Sequence, residues 1–195
     1  MNFFLNGYNS YWLEIHSLST PTIVNVVATA SFNQTVELSE VSKIQYTIFD
    51  NEIYSGRVAY LKKPGMHGKV TIFPSGKLIS VGTRCIEDAE FDLQETADTL
   101  HHAGLIDQVA VKANVRNIVA VIMTKPLELE DVALETGAIY EPEQFPAAIL
   151  KTGDPERTYL IFNSGKIVLP GVKTMNDLTE AVKQIRAIID EIEQT

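Results

Sequence analysis

The chain has 195 residues, a formal net charge of −9, 45% apolar and 21% charged residues, and one cysteine. It is long enough to bury a core without metal or disulfide staples and too apolar to be disordered, and a single cysteine excludes an internal disulfide or a cysteine-based zinc cluster. No apolar run reaches the roughly 18 residues of a membrane helix, the start lacks the basic segment of a signal peptide, and the acidic balance argues against sequence-blind adhesion to nucleic acid while leaving room for a local basic face.

In chain order, residues 1–20 form an aromatic leader that reads equally as an ordered cap, an interaction arm or a misassigned start. An apolar strand follows over Ile23–Ala30, then a short helix around Leu38–Ile44. Strands dominate next, punctuated by turn signals at Lys62–Gly65 (KKPG) and Pro74–Gly76 (PSG). Ile86, Ala89, Leu93, Ala97 and Leu100, spaced by three and four, predict a long amphipathic helix that Gly104 ends. Its acids, Glu87, Asp88, Glu90, Asp92 and Glu95, lie toward the N-terminal end, where the helix dipole favours them. The second half reads alike: a strand over Asn117–Met123, a helix over Leu129–Thr136 stopped by Gly137, turns at Thr152–Pro155 (TGDP) and Asn163–Gly165 (NSG), and a closing helix striped by Met175, Leu178, Val182, Ile185, Ile189 and Ile192.

The two halves match. NVVATASFNQTVELSEV from Asn25 answers NIVAVIMTKPLELEDVA from Asn117, and TIFPSGKLISVGTR from Thr71 answers LIFNSGKIVLPGVK from Leu160. The offset is 92 at the asparagines (117 − 25) and 89 at the phenylalanines (162 − 73), so short insertions lie in the first half. Two copies of this length make a duplicated α+β domain rather than a solenoid. One antiparallel sheet with helices on one face leaves the other face free, and a duplicated version would be a long curved sheet with an exposed surface that needs an occupant.

Residues 140–173, YEPEQFPAAILKTGDPERTYLIFNSGKIVLPGVK, closely resemble the second repeat of TATA-box-binding proteins, and residues 21–105 resemble the same motif more weakly. The resemblance implies a saddle-like fold, a curved antiparallel sheet with helices on its convex face, divided as an N-terminal extension (1–20), a first repeat (21–105) and a second repeat (106–195). It implies a transcription initiation factor that binds and bends AT-rich promoter DNA through the minor groove and recruits a transcription factor B-like protein. The implied setting is the cytoplasm of an archaeal-type cell, or the nucleus of a eukaryotic one, with no cofactor, small-molecule substrate or membrane partner.

The minor groove of AT-rich DNA offers only acceptors, adenine N3 and thymine O2, which side-chain amides suit. Asn25 and Asn117 match the paired asparagines of the family. Kinking needs flat apolar wedges to replace lost stacking; Phe145 and Phe162 match one pair, and Tyr54 and Phe73 occupy the other pair's positions. Val27, Val119, Ile79, Leu160 and Val168 match an apolar floor. Val81 and Pro170 stand where the family has threonines, so a hydroxyl donor is missing twice, and the proline also lacks the amide hydrogen a central strand uses. Lys77 and Lys166, in the paired SGK motifs, are the leading phosphate contacts, with Arg57, Lys62, Lys63, Arg84, Lys151, Arg157 and Lys173 near by sequence. SGK is not a P-loop, because the upstream glycine and the following Ser or Thr are absent. Glu141 and Glu143 match the stirrup that docks transcription factor B. No GxSxG, HExxH or CxxC occurs, and the adjacent His101 and His102 cannot share a helix face, so no enzyme is expected. The rival reading is a diverged paralogue that keeps the stirrup but not promoter DNA, acting as a protein-interaction module or decoy.

Overall fold

A computed structural model describes residues 18–50 and 52–192; of the leader, residues 1–17 lie outside that range. Among the described residues nine strands form one sheet: β1 (Thr22–Ser31), β2 (Thr47–Phe49), β3 (Ala59–Leu61), β4 (Lys69–Ile72), β5 (Lys77–Thr83), β6 (Asn114–Met123), β7 (Ala148–Thr152), β8 (Arg157–Ile161) and β9 (Lys166–Val172). Their order is β2-β3-β4-β5-β1-β6-β9-β8-β7. The order reads outward from β1 and β6 in both directions through matching strands, as a duplication requires. Among the described residues four α-helices accompany the sheet: α1 (Leu38–Val41), α2 (Ile86–His102), α3 (Leu129–Thr136) and α4 (Met175–Ile192). The described residues divide into two compact units, Thr22–Val121 with Leu169–Leu178, and residues 18–21 with Ile122–Val168 and residues 179–192.

Within the first of these units the strands alternate. Val26 and Ala28 of β1, Val70 and Ile72 of β4, Leu78 of β5, and Ile118 and Ala120 of β6 are fully buried. Ala89, Leu93, Ala97 and Leu100 of α2 are buried with them, and α2 packs on β1, β4 and β5. Cys85 caps α2, its Sγ accepting the N–H of Asp88 at 3.4 Å. At the other end the N–H of Leu105 returns to the carbonyl of Leu100 and that of Gly104 to His101, with Gly104 at φ +73°. This left-handed stop is the one the sequence predicts.

The other unit repeats the pattern. Tyr159 and Ile161 of β8, Ala148 and Leu150 of β7, and Ala181, Ile185 and Ile189 of α4 are buried. The Tyr159 hydroxyl donates to the Ala181 carbonyl at 3.0 Å, which lets a phenol sit in the core. α3 spans the predicted residues and ends at Gly137, φ +72°.

Two elements depart from expectation. α1 stops at Val41 instead of reaching Ile44, because Thr47 Oγ1 donates to the carbonyls of Val41 and Ile44 (2.9 and 2.7 Å) and Tyr46 turns the chain at φ +67°. Met175, the first residue of the predicted α4 stripe, is exposed, and the buried stripe begins at Leu178.

The copies also differ in core chemistry. Ser80, Asp92 and Thr96 are fully buried in the first repeat. The matching positions 89 residues on hold Leu169, Ala181 and Ile185, also fully buried. The Asp92 carboxylate accepts the backbone N–H groups of His67 (3.0 Å) and Gly68 (2.6 Å), and Thr96 Oγ1 donates to the Asp92 carbonyl at 2.8 Å. A buried carboxylate is tolerable there because two amide dipoles replace its water.

Candidate nucleic-acid interface

The strand residues that alternate with the buried set share the opposite face. In the β3–β4–β5–β1 ladder, Tyr60 pairs with Thr71, Thr71 with Ile79, and Ile79 with Thr29, which sets Ile79 in a row across four strands. Val27 pairs with Asn117 and Asn25 with Val119 across β1 and β6, so these four residues lie on one face of adjacent strands. In the other unit, Ile149 pairs with Leu160 and Leu160 with Val168. Asn25, Val27, Ile79, Asn117, Val119, Leu160 and Val168 are all half-buried, whereas the residues between them are buried. The alternation therefore gives the sheet a packed face and an open one.

Both asparagines are held alike. Asn25 Oδ1 accepts the N–H of Gly82 at 2.8 Å, and Asn117 Oδ1 accepts the N–H of Gly171 at 2.8 Å. Gly82 and Gly171 are at φ +91° and +85°, a conformation that turns the amide toward the asparagine and that a side chain would strain. An amide oxygen tied to an N–H leaves its –NH2 directed elsewhere, and among the described residues neither Nδ2 has a partner. Each glycine follows the residue that replaces a family threonine, Val81 or Pro170, and both of those side chains are half-buried. In β5, Val81 and Gly82 bulge between the Val26–Thr83 and Ala28–Ser80 pairs. Pro170 holds the same step in β9, immediately before the glycine that serves Asn117.

The aromatic positions sit at turns. Phe73 and Phe162 open identical tight turns: the N–H of Phe73 bonds to the Lys77 carbonyl (3.0 Å) and that of Gly76 to the Phe73 carbonyl (3.0 Å), matched by Phe162 to Lys166 and Gly165 to Phe162 (2.9 Å each). Gly76 and Gly165, both at φ +79°, lie so close to neighbouring backbone that a Cβ would stand 2.1 Å from the Gln34 carbonyl oxygen or 2.2 Å from that of Thr124. The glycine of each SGK motif is thus a packing requirement, and it presents the phenylalanine and lysine on either side. Gly165→Ala is expected to cost about 2 kcal/mol or more of stability, from left-handed strain plus the clash, read as a shift in a urea unfolding midpoint.

Phe145 and Phe162 meet edge to face with ring centroids 6.2 Å apart. Phe145 is exposed at 38%, and Phe162 and Phe73 are half-buried. Lys166 Nζ lies 5.8 Å from the Phe162 ring centre. Tyr54 belongs to a 3-10 turn, Ile53–Gly56, and its side chain lies outside the described residues. The turn before Phe145 is built by Glu141: its carbonyl accepts the N–H groups of Gln144 and Phe145 (2.9 Å each), and its Oε2 accepts Gln144 Nε2 at 2.6 Å. Glu143 is exposed.

Some cations near by sequence are engaged elsewhere. Lys63 is ion-paired with Glu95 and bonded to Thr99 of α2, Lys62 Nζ donates to the Met66 carbonyl at 2.6 Å, and Arg157 reaches Gln184 of α4 at 3.3 Å. Lys77 and Lys166 are exposed. Sequence reasoning missed Thr29, Lys112 and Arg116, which gather beside Phe73 and Lys77.

The sequence model of the family described as transcription factor TFIID (or TATA-binding protein, TBP) matches residues 20–103 and 112–192. The TATA-box-binding protein of Cenarchaeum symbiosum is 36% identical over 160 residues, which cover 81% of this chain and 87% of that protein. That of Methanocaldococcus jannaschii is 34% identical, covering 88% and 94%. The solved structure of Methanococcus jannaschii TBP superposes with a TM-score of 0.77 at 31% identity, over 89% of this chain and 99% of that one.

Proposed function

The chain belongs to the TATA-box-binding protein family, whose members are general transcription factors, and from that premise we propose that it binds AT-rich promoter DNA through the minor groove, bends it, and recruits a transcription factor B-like protein in the cytoplasm of an archaeal-type cell. The observation that carries this reading is the matched pair of asparagines. Each amide oxygen is tied to a glycine N–H, so each –NH2 is left to donate. The floor of an AT-rich minor groove carries acceptors and no donors, the complement of two such amides on one face. Val27, Val119, Ile79, Leu160 and Val168 supply apolar contact to sugars, and Phe145, Phe162 and Phe73 supply rings at turns where a base step can be pried open at a cost of about a few kcal/mol. Lys77 and Lys166 neutralise phosphates. Glu141 and Glu143 face factor B, with Glu141 also shaping the turn that carries Phe145.

An electrophoretic shift on a TATA-containing duplex and a scrambled one, with and without transcription factor B, tests this. A shift on the first duplex, strengthened by factor B, is expected. Binding of factor B without either duplex would replace the reading with that of a protein-interaction paralogue.

A further inference from the structure

The four central residues are matched across the repeats, but what flanks them is not. In the β1–β6 register, Val27 pairs with Asn117 and the next pair is Ala28 with Val115, so Arg116 is an extra residue bulged out of the alternation. The matching irregularity in β1 lies between Ile23 and Asn25 and bulges Val24, 92 positions earlier. A bulge re-aims a side chain. Arg116 Nε donates to Thr29 Oγ1 at 2.9 Å, which brings the guanidinium to the side-chain row containing Ile79. Thr29 Oγ1 in turn lies 3.4 Å from the Asn114 carbonyl. The terminal –NH2 groups of Arg116 have no partner among the described residues.

Arg116, Lys112 and Lys77 line one groove of about 450 Å³ together with Phe73, Ile79 and Thr29. No acidic residue lines it, and all three cations are exposed. At the matching positions, 89 residues on for Lys77 and 92 earlier for the other two, the chain keeps Lys166 for Lys77 but has Thr20 for Lys112 and Val24 for Arg116. Three unpaired cations in one groove of a chain with a net charge of −9 call for an anionic occupant.

We propose that Lys112 and Arg116 form, with Lys77, a phosphate-gripping site for the sugar–phosphate backbone of the bound duplex beside the Phe73 turn, a grip with no counterpart at the matching positions. The inference rests on the DNA-binding reading above. Thr29 holds the guanidinium by Nε, so the Nη groups form a preset fork for phosphate oxygens. The contact with DNA is therefore unequal about the asparagines, with two more phosphates neutralised on one side.

The test replaces each cation by what the chain itself carries at the matching position: Lys112→Thr with Arg116→Val. Affinity for one AT-rich duplex is titrated over a range of salt, alongside Lys112→Arg with Arg116→Lys. Wild type and the charge-conserving variant are expected to share one slope of log K against log salt, and the neutral variant to be shallower by about 1.8, for two phosphates at about 0.9 each. At low salt it binds at least about tenfold more weakly, and the curves converge as salt rises. A scan of single methylphosphonate substitutions, each removing one phosphate charge, should find positions on one side of the site that weaken wild type but not the neutral variant. Equal slopes and equal scans, with wild type still binding, would overturn the inference and leave the DNA-binding reading standing. Failure of wild type to bind any AT-rich duplex would overturn both. A thermal melt of each variant confirms folding, since both positions are exposed.

Discussion

Phe162→Ala is expected to weaken binding to an AT-rich duplex by about 1–3 kcal/mol, taking aromatic–base stacking on single strands as the scale, or roughly 5- to 150-fold in Kd. The ring stands edge to face on Phe145 at 6.2 Å, so removing it also takes away the surface that orients its partner. The pair should therefore act as one wedge: Phe145→Ala weakens binding, and the double variant loses less than the sum of the single losses. The bend angle, followed by fluorescence transfer between labels on the duplex ends, falls with the affinity. Tyr54→Phe should change either quantity far less, because it keeps the ring and removes a single hydroxyl. Wild-type affinity and bend angle in Phe162→Ala would show that this turn does not enter the base stack.

Asp92→Ala is expected to be the most damaging single change to stability, about 3–4 kcal/mol. Its carboxylate is wholly buried and accepts the N–H groups of His67 and Gly68, and hydrogen bonds to a charged group contribute about 1.5–3 kcal/mol each. Alanine leaves the Gly68 N–H buried without a partner. No side chain can move in from Gly68 to fill the space, because its Cβ would stand 2.4 Å from the Val81 carbonyl oxygen. In a chain of this size the loss corresponds to a fall in Tm of roughly 6–16 °C. Asp92→Asn keeps one acceptor but turns an –NH2 toward the other amide, and should fall between wild type and alanine. Urea melts of the three proteins check the order; wild-type stability in the alanine variant would refute the assignment.

How much of this is legible in the sequence depends on the period of the pattern. Leu93, Ala97, Leu100 and Leu178, Val182, Ile185 announce α2 and α4 by their three-and-four spacing, and Gly104 and Gly137 their ends, because burial on one helix face leaves that imprint. Asn25, Asn117, Phe145 and Phe162 stood out through the resemblance and the repeat, not through composition. Arg116 was invisible: a bulge shifts one residue out of the period-two alternation, and no residue type marks the shift. Asp92 hid in a run of acids, where it reads as helix surface; only its contacts with the His67–Gly68 backbone, 24 and more residues away, explain it. Lys62 and Lys63 misled in the opposite direction, since cations adjacent in sequence to a strand turn can be consumed by a helix and a neighbouring loop.

The exchange of Ser80, Asp92 and Thr96 for Leu169, Ala181 and Ile185 has a thermal consequence. Apolar burial loses strength on cooling, because its driving force carries a large heat capacity. Ion–dipole contacts such as those of Asp92 do not share that heat-capacity signature. Two copies of one architecture thus draw on forces with different temperature coefficients. The second repeat is the one that chilling loosens first, and the first repeat, with the smaller apolar share in its core, has the flatter stability curve. Amide hydrogen exchange followed from near freezing to ambient temperature would show protection in β8 and α4 rising on warming more steeply than in β4 and α2.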